Sequence, residues 1–185
     1  GYGEILKHSI IKDRKFFNFL DKNVVNILNL KSPYIEKSIL ESCKIKQKIV
    51  QLDEKESGIR KVLNFGHTFA HAYEAGLNYS KKLNHGEAVL LGIMSAVEFG
   101  RKKKILKKND YEQIIDHLKK LNYCNLNKYF KSKDISKIIF YMKQDKKNKD
   151  SKINLILLKG IAKPVINKSF KENNIKLFLK NLIYR

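Results

Sequence analysis

The chain has 185 residues, enough for one domain with a substantial core and short for two. Hydrophobic residues make up 43% of it and aromatics 10%, which excludes disorder, and no apolar run approaches the roughly 20 residues needed to span a bilayer. The formal net charge of +21 invites a nucleic-acid partner, but the lysines are spread evenly beside abundant Asn and Ile, and no zinc-finger or aromatic RNA-binding signature accompanies them.

The first residues, Gly1 to His8, lack an initiator methionine, a charged n-region and an apolar h-region. They are not a signal peptide and read as a cut inside a longer protein. A first helix is expected from near Glu4 through Lys7, Ile10 and Ile11, and a second from Asp13 to Leu30 on the apolar set Phe16, Phe17, Leu20, Val24 and Leu28. Ser32-Pro33 starts a third, with Pro at the first helical position and Ile39, Cys43, Ile45 and Val50 along it. Cys43 and Cys124, the only cysteines, have no metal-type spacing and read as reduced, buried thiols of a cytoplasmic protein.

After a polar break at Asp53 to Gly58, one helix is expected from Arg60 to Ala75-Gly76. Leu77 to Asn84 reads as a loop. Gly86 to Gly100 is strongly apolar, the expected centre of the core. Helices follow at Asp110–Leu121 and Ser132–Met142, and a turn at Asp145 to Asp150. A short strand through Ile153, Leu155 and Leu157 turns near Gly160 and Pro164 into a hairpin returning through Val165-Ile166, and an amphipathic helix from Asn173 to Tyr184 closes the chain. The expected fold is mainly α: a single multi-helix domain over residues 1–185, with a short β-hairpin near the C-terminus.

Chemistry concentrates between positions 60 and 85, where three of the chain's five histidines lie. Arg60, Asn64, His67 and His71 step by 4, 3 and 4, which in a continuous helix puts all four on one stripe. Burying such a stripe beside Val62, Leu63, Phe65 and Phe69 is costly without anionic or metallic partners. His85 opens the next helix beside Gly86-Glu87. Catalytic zinc takes three protein ligands from His and carboxylates and keeps one position open, so two histidines and a carboxylate would complete a set. Glu4, three residues before Lys7 on one helical face, is a candidate third ligand or a solvated surface ion pair.

At this point the residues resemble a family. Gly3-Glu4-Ile5-Leu6-Lys7, Lys46-Gln47-Lys48-Ile49-Val50, Asp53-Glu54-x-Glu56-x-Gly58-x-Arg60, Leu63 to His71 and Leu83 to Val89 resemble the C-terminal half of 3-dehydroquinate synthase in order and spacing, and Met142 to Lys147 is similar to its terminal basic motif. The resemblance implies a helical metal- and substrate-binding domain, partnered by an N-terminal NAD-binding domain whose Gly-rich phosphate loop is not found here. It implies Zn2+ or Co2+ held by Glu4, His67 and His85. Substrate contacts fall to Lys7, Lys46, Arg60, Asn64, His71 and Lys146, with Lys147 an alternative to Lys146. It also implies a homodimer in the complete enzyme.

The family's substrate is 3-deoxy-D-arabino-heptulosonate 7-phosphate, whose carboxylate and phosphate suit Lys and Arg. The implied cycle oxidises the carbon-5 hydroxyl with NAD, eliminates phosphate, returns hydride, opens the ring and closes a carbocycle, with His71 orienting groups or relaying protons near the phosphate. The isolated chain is expected not to turn over. Two positions depart from the family pattern: His8 stands where Tyr is commoner, offering an extra imidazole near Glu4, and Ala70 stands where Gly is usual, adding a methyl group beside the stripe. Two other readings stand beside this one: a related sugar-phosphate cyclase, such as a 2-deoxy-scyllo-inosose synthase, and a non-catalytic basic helical module binding nucleic acid or protein.

Overall fold

A computed structural model describes residues 1–121, 125–144 and 152–184. Helix α1 (Tyr2–Lys12) is buried on most of its surface, including Ile5, Leu6, Lys7, His8, Ile10 and Ile11. Asp13 ends it in an extended conformation, and its side chain accepts from Phe16 N, so the same residue caps α2 (Arg14–Leu28). Helix α3 (Tyr34–Leu52) follows a cis Ser32–Pro33 bond, with Pro33 at the N-cap rather than the first helical position.

The buried face of α3 is Ser38, Ser42, Ile45 and Ile49, not the expected row through Ile39, Cys43 and Val50. Ile39 is 49% exposed and Cys43 is exposed, correcting its reading as a buried thiol. The face turns because small serines pack inward: Ser42 Oγ meets His8 Nδ1 at 2.8 Å, and Ser38 Oγ donates to its own helix at Tyr34 O. Cys124 lies outside the described residues.

The expected single helix from Arg60 to Gly76 is two pieces. Ile59–Asn64 is a 3-10 turn, Gly66 adopts φ 79°, and α4 runs over His67–Gly76. Arg60 and Asn64 therefore do not share a helical stripe with His67 and His71. The cause is tertiary. Gly66 lies against the backbone of α5 (His85–Lys102), where a Cβ would meet Ile93 N at 2.8 Å, and the same crossing leaves no room for a side chain at Gly92. Ala70, fully buried, packs its methyl group into this crossing.

Helix α5 is the centre of the core as expected, with Ala88 through Val97, Phe99 and Gly100 buried. Helices α6 (Lys108–Lys120) and α7 (Ile135–Gln144) surround it, α7 preceded by short 3-10 turns at Leu126–Lys128 and Ser132–Asp134. Strands β1 (Lys152–Gly160) and β2 (Lys163–Lys171) form a two-stranded antiparallel hairpin, registered Lys152 to Lys171 and Gly160 to Lys163. Its tip is pinned: Ala162 N donates to Ile10 O at 2.8 Å, and Ile161 N to Asp110 Oδ2 at 3.1 Å. Asp110 also pairs with Arg14. Helix α8 (Glu172–Ile183) closes the core, where Phe178 meets Phe99 and Phe69. The expected mainly α fold with a C-terminal hairpin is thus observed. The turn expected at Asp145 to Asp150, with Lys146 and Lys147, lies outside the described residues. No described helix is long and apolar enough to cross a membrane.

Candidate functional site

Three helix starts converge on one point. Glu4 sits in the first turn of α1, His67 is the first residue of α4, and His85 is the first residue of α5. One donor atom from each lies within 4.8 Å of the other two, a grouping of metal-ligating side chains found among the described residues. Local sequence sets each entry. Gly66 turns the chain into His67. Asn84 caps α5 in a capping box with Glu87 and so fixes where His85 leaves the loop. Gly3 lets α1 approach: a Cβ there would lie 2.8 Å from Gly86 O, so Glu4 and His85 are neighbours because two glycines touch.

Glu4 Oε2 accepts from Lys7 Nζ at 2.8 Å, while Oε1 is buried with no hydrogen-bond partner. Burial opposes ionisation of Glu4, but the hydrogen bond and charge of Lys7 outweigh it, and its pKa is lowered. Lys7 is 2% exposed, so this is no solvated surface pair. Burial lowers the Lys7 pKa, Glu4 opposes that, and nearby Lys46 adds to it.

His67 Nε2 stands 3.4 Å from the orphaned Glu4 Oε1, and His67 Nδ1 lies 3.3 Å from Phe65 O. A carbonyl only accepts, so Nδ1 carries the hydrogen and Nε2 has a lone pair. Burial, with Lys7 adding, pushes the His67 pKa down to about 4. Burial thus favours the uncharged ring, and in that form the close approach to Glu4 is not an ion pair. A lone pair faces a carboxylate oxygen, an arrangement that repels unless a cation lies between them. Two imidazoles and a carboxylate match the donor preference of catalytic zinc. The residues fit a divalent metal.

The rest of the expected set divides. His71 is exposed on α4, its ring edge-on to His67 at 5.2 Å between centroids. Lys46 is exposed on α3, close enough to affect Lys7 and His8. Arg60 and Asn64 belong to the 3-10 turn, which packs on α1 and α3. Arg60 Nη1 donates to Glu54 O at 2.6 Å, and Asn64 Nδ2 to Glu56 Oε1 at 2.6 Å.

Sequence reasoning missed what organises that turn. Asp53 accepts from the backbone N–H groups of Ser57, Gly58 and Arg60 at 2.8 to 3.0 Å. These bonds, that of Arg60 first, hold its pKa down to about 2. Sequence reasoning also missed Glu74, whose Oε1 lies 3.0 Å from His85 Nδ1. The signal was present, since 67, 71 and 74 continue one helical face. His8 is buried with its Nε2 unpartnered, 3.9 Å from Glu4 Oε2, and burial, with Lys7 adding, pushes its pKa to about 4.

A sequence profile of the 3-dehydroquinate synthase C-terminal family matches residues 1–148. The chain is 56% identical over 181 residues to a 3-dehydroquinate synthase of Pelagibacter ubique, covering 97% of this chain and 49% of the relative. It is 36% identical over 180 residues to one of Thermoanaerobacter pseudethanolicus, again covering 97% and 49%. The chain thus spans about half the length of these relatives. Among solved structures, a 2-epi-5-epi-valiolone synthase from Streptomyces hygroscopicus with NAD+ and Zn2+ bound superposes with a TM-score of 0.84 at 19% identity, over 100% of this chain and 50% of that one. A 2-deoxy-scyllo-inosose synthase complexed with carbaglucose-6-phosphate, NAD+ and Co2+ gives a TM-score of 0.76 at 23% identity, over 98% and 50%. These two show the shared fold.

Proposed function

The chain belongs to the 3-dehydroquinate synthase C-terminal family, and on that premise we propose that residues 1–185 form the metal- and substrate-binding domain of a 3-dehydroquinate synthase. The reaction is the conversion of 3-deoxy-D-arabino-heptulosonate 7-phosphate to 3-dehydroquinate and phosphate, a carbon–oxygen lyase step in a cytoplasmic enzyme of aromatic biosynthesis. The observation that carries this reading is the convergence of Glu4, His67 and His85, with an orphaned carboxylate oxygen 3.4 Å from an imidazole nitrogen.

Glu4, His67 and His85 would hold Zn2+ or Co2+. When bound, the metal would polarise the hydroxyl to be oxidised, and NAD would take the hydride from the carbon that bears that hydroxyl. Everything else falls to side chains. Lys7, Lys46 and Arg60 bind the substrate's carboxylate and phosphate through charge-assisted hydrogen bonds. Asn64, steadied by Glu56, offers an amide to a hydroxyl. His71, exposed beside His67, holds or moves a proton near the leaving phosphate. Lys146 completes the basic set in this reading.

NAD binding belongs to a second, N-terminal half of the enzyme, which works as a homodimer. Hydride transfer needs nicotinamide and substrate carbon in near contact, so the 185-residue chain by itself does not turn over. Supplying an NAD-binding half, in cis or as a separate chain, restores phosphate release. Phosphate released by the isolated chain at the full enzyme's rate would refute that division of labour. A different cyclase is disfavoured because identity to 3-dehydroquinate synthases reaches 56%, against 23% for the inosose synthase; a substrate panel separates the two. A basic interaction module would bind no metal through His67 and His85, which elemental analysis of the wild type and His85→Ala decides.

A further inference from the structure

His85 is an awkward ligand. Its side chain is 55% exposed, so packing does not fix the ring, and either nitrogen could carry the hydrogen. His67 has no such problem, being 14% exposed, with the Phe65 carbonyl setting its tautomer. Something must do for His85 what burial and a backbone carbonyl do for His67.

Glu74 is placed to do it. It lies two turns beyond His67 on α4, is 13% exposed, and reaches across the loop between α4 and α5 so that Oε1 sits 3.0 Å from His85 Nδ1. A carboxylate oxygen accepts, so the hydrogen resides on Nδ1 and the nitrogen left for the cluster is Nε2 with its lone pair. Both histidines then present the same nitrogen, one oriented by a carbonyl and the other by a carboxylate, as metal-ligating histidines commonly are. The backbone adds rigidity. Glu74 and His67 share one helix, and His85 is fixed at the start of another by its Asn84 cap, so the ring is held between two stiff elements.

We propose that Glu74 is a positioning residue for the metal centre, holding His85 in the Nδ1–H tautomer and aiming Nε2 at the point shared with Glu4 and His67. This rests on the metal-binding reading above. The pairing also ties the end of α4 to the start of α5 across the loop, so the carboxylate orders the ligand before metal arrives.

The test uses the 185-residue chain with Glu74→Ala and Glu74→Gln. Nitrogen-15 shifts of the His85 ring in metal-free protein report which nitrogen bears the hydrogen. Chelator competition gives the Zn2+ and Co2+ dissociation constants, and the visible spectrum of the Co2+ form reports ligand geometry. Wild type should show the Nδ1–H form. Glu74→Ala should lose that preference and bind metal roughly 10- to 100-fold more weakly. Glu74→Gln, whose amide oxygen still accepts but carries no charge, should fall between. The metal-free melting temperature should barely move, which separates positioning from general damage. An Nε2–H tautomer in wild type, or unchanged metal affinity in Glu74→Ala, overturns the role of Glu74 alone. A wild type that binds no metal overturns the ligand assignment beneath it.

Discussion

The two halves of the site are held in different ways. Glu4, Lys7, His67 and His85 stand on helices whose positions are set by close backbone packing, through Gly3 against Gly86 and Gly66 against α5. Arg60 and Asn64 stand on a 3-10 turn shaped by hydrogen bonds to the carboxylates of Asp53 and Glu56. Packing tolerates no movement and ignores salt and charge. Carboxylate-bonded turns yield when a charge is removed. A metal needs donors fixed to fractions of an ångström, while an anion can be met by cations that adjust. The division matches those needs.

The largest expected effect tests the packed half. His67→Ala removes the proposed ligand that faces Glu4 Oε1, and metal should fall to background by elemental analysis while the helical circular dichroism persists. Retained stoichiometric metal would take His67 out of the ligand set. Next comes the packing itself. Gly92→Ala forces a methyl group into the Gly66 carbonyl and should cost about 1–3 kcal/mol or more of stability, read from denaturant midpoints. An unchanged midpoint would mean that the α4–α5 crossing is looser than its contacts imply.

Arg60→Ala probes the turn-borne half. It should weaken a phosphonate substrate analogue by roughly 10- to 150-fold in the complete enzyme, the worth of one charge-assisted hydrogen bond, with metal content intact. Equal affinity by calorimetry would leave Arg60 a structural charge. Asp53→Asn acts one step back. It loosens the turn, so its penalty should be smaller than that of Arg60→Ala and appear mainly in KM. A larger penalty would make the turn more important than the guanidinium it carries.

Acid separates the halves by window. His8 has a folded pKa of about 4, against about 6.5 in an unfolded chain. The unfolded state therefore takes up the proton first, and stability, complete above about 6.5, is lost as pH falls toward 4. Asp53, with a folded pKa of about 2, contributes stability that is complete above its unfolded value of about 3.9 and fades only below it. In metal-free protein the packed half should weaken between about 6.5 and 4, before the turn does. His67, held down to about 4 as well, titrates in the same window, so His8→Phe should make its slope shallower without abolishing it in a series of melting curves, and an unchanged slope would place the acid sensitivity elsewhere.

Legibility in the sequence followed the same boundary. The apolar run of α5 announced the core because nothing else buries so many consecutive apolar residues, and the Asp13 and Asn84 caps came close to marking their helix starts. The grouping of Glu4, His67 and His85 was readable from residue type together with the family resemblance. The break at Gly66 was not, since the spacing of 60, 64, 67 and 71 runs through it and its cause lies on another helix. The inward face of α3 was displaced for a similar reason: serines look like solvent-facing residues until His8 is seen opposite Ser42. Glu74 needed two helix ends brought together before its role had any partner.

The hairpin tip bonds to the first helix, through Ala162 N to Ile10 O. Ile10 lies on the helix that carries Glu4, so a proposed ligand is tied to a segment made about 150 residues later. During synthesis α1 emerges before the hairpin and stays unanchored on that side until the hairpin follows. Contacts between such distant parts of a chain form late because the intervening loop must first be closed. In the proposed site, metal arriving before then meets His67 and His85 with Glu4 still unsecured, so stable capture should coincide with docking of the hairpin.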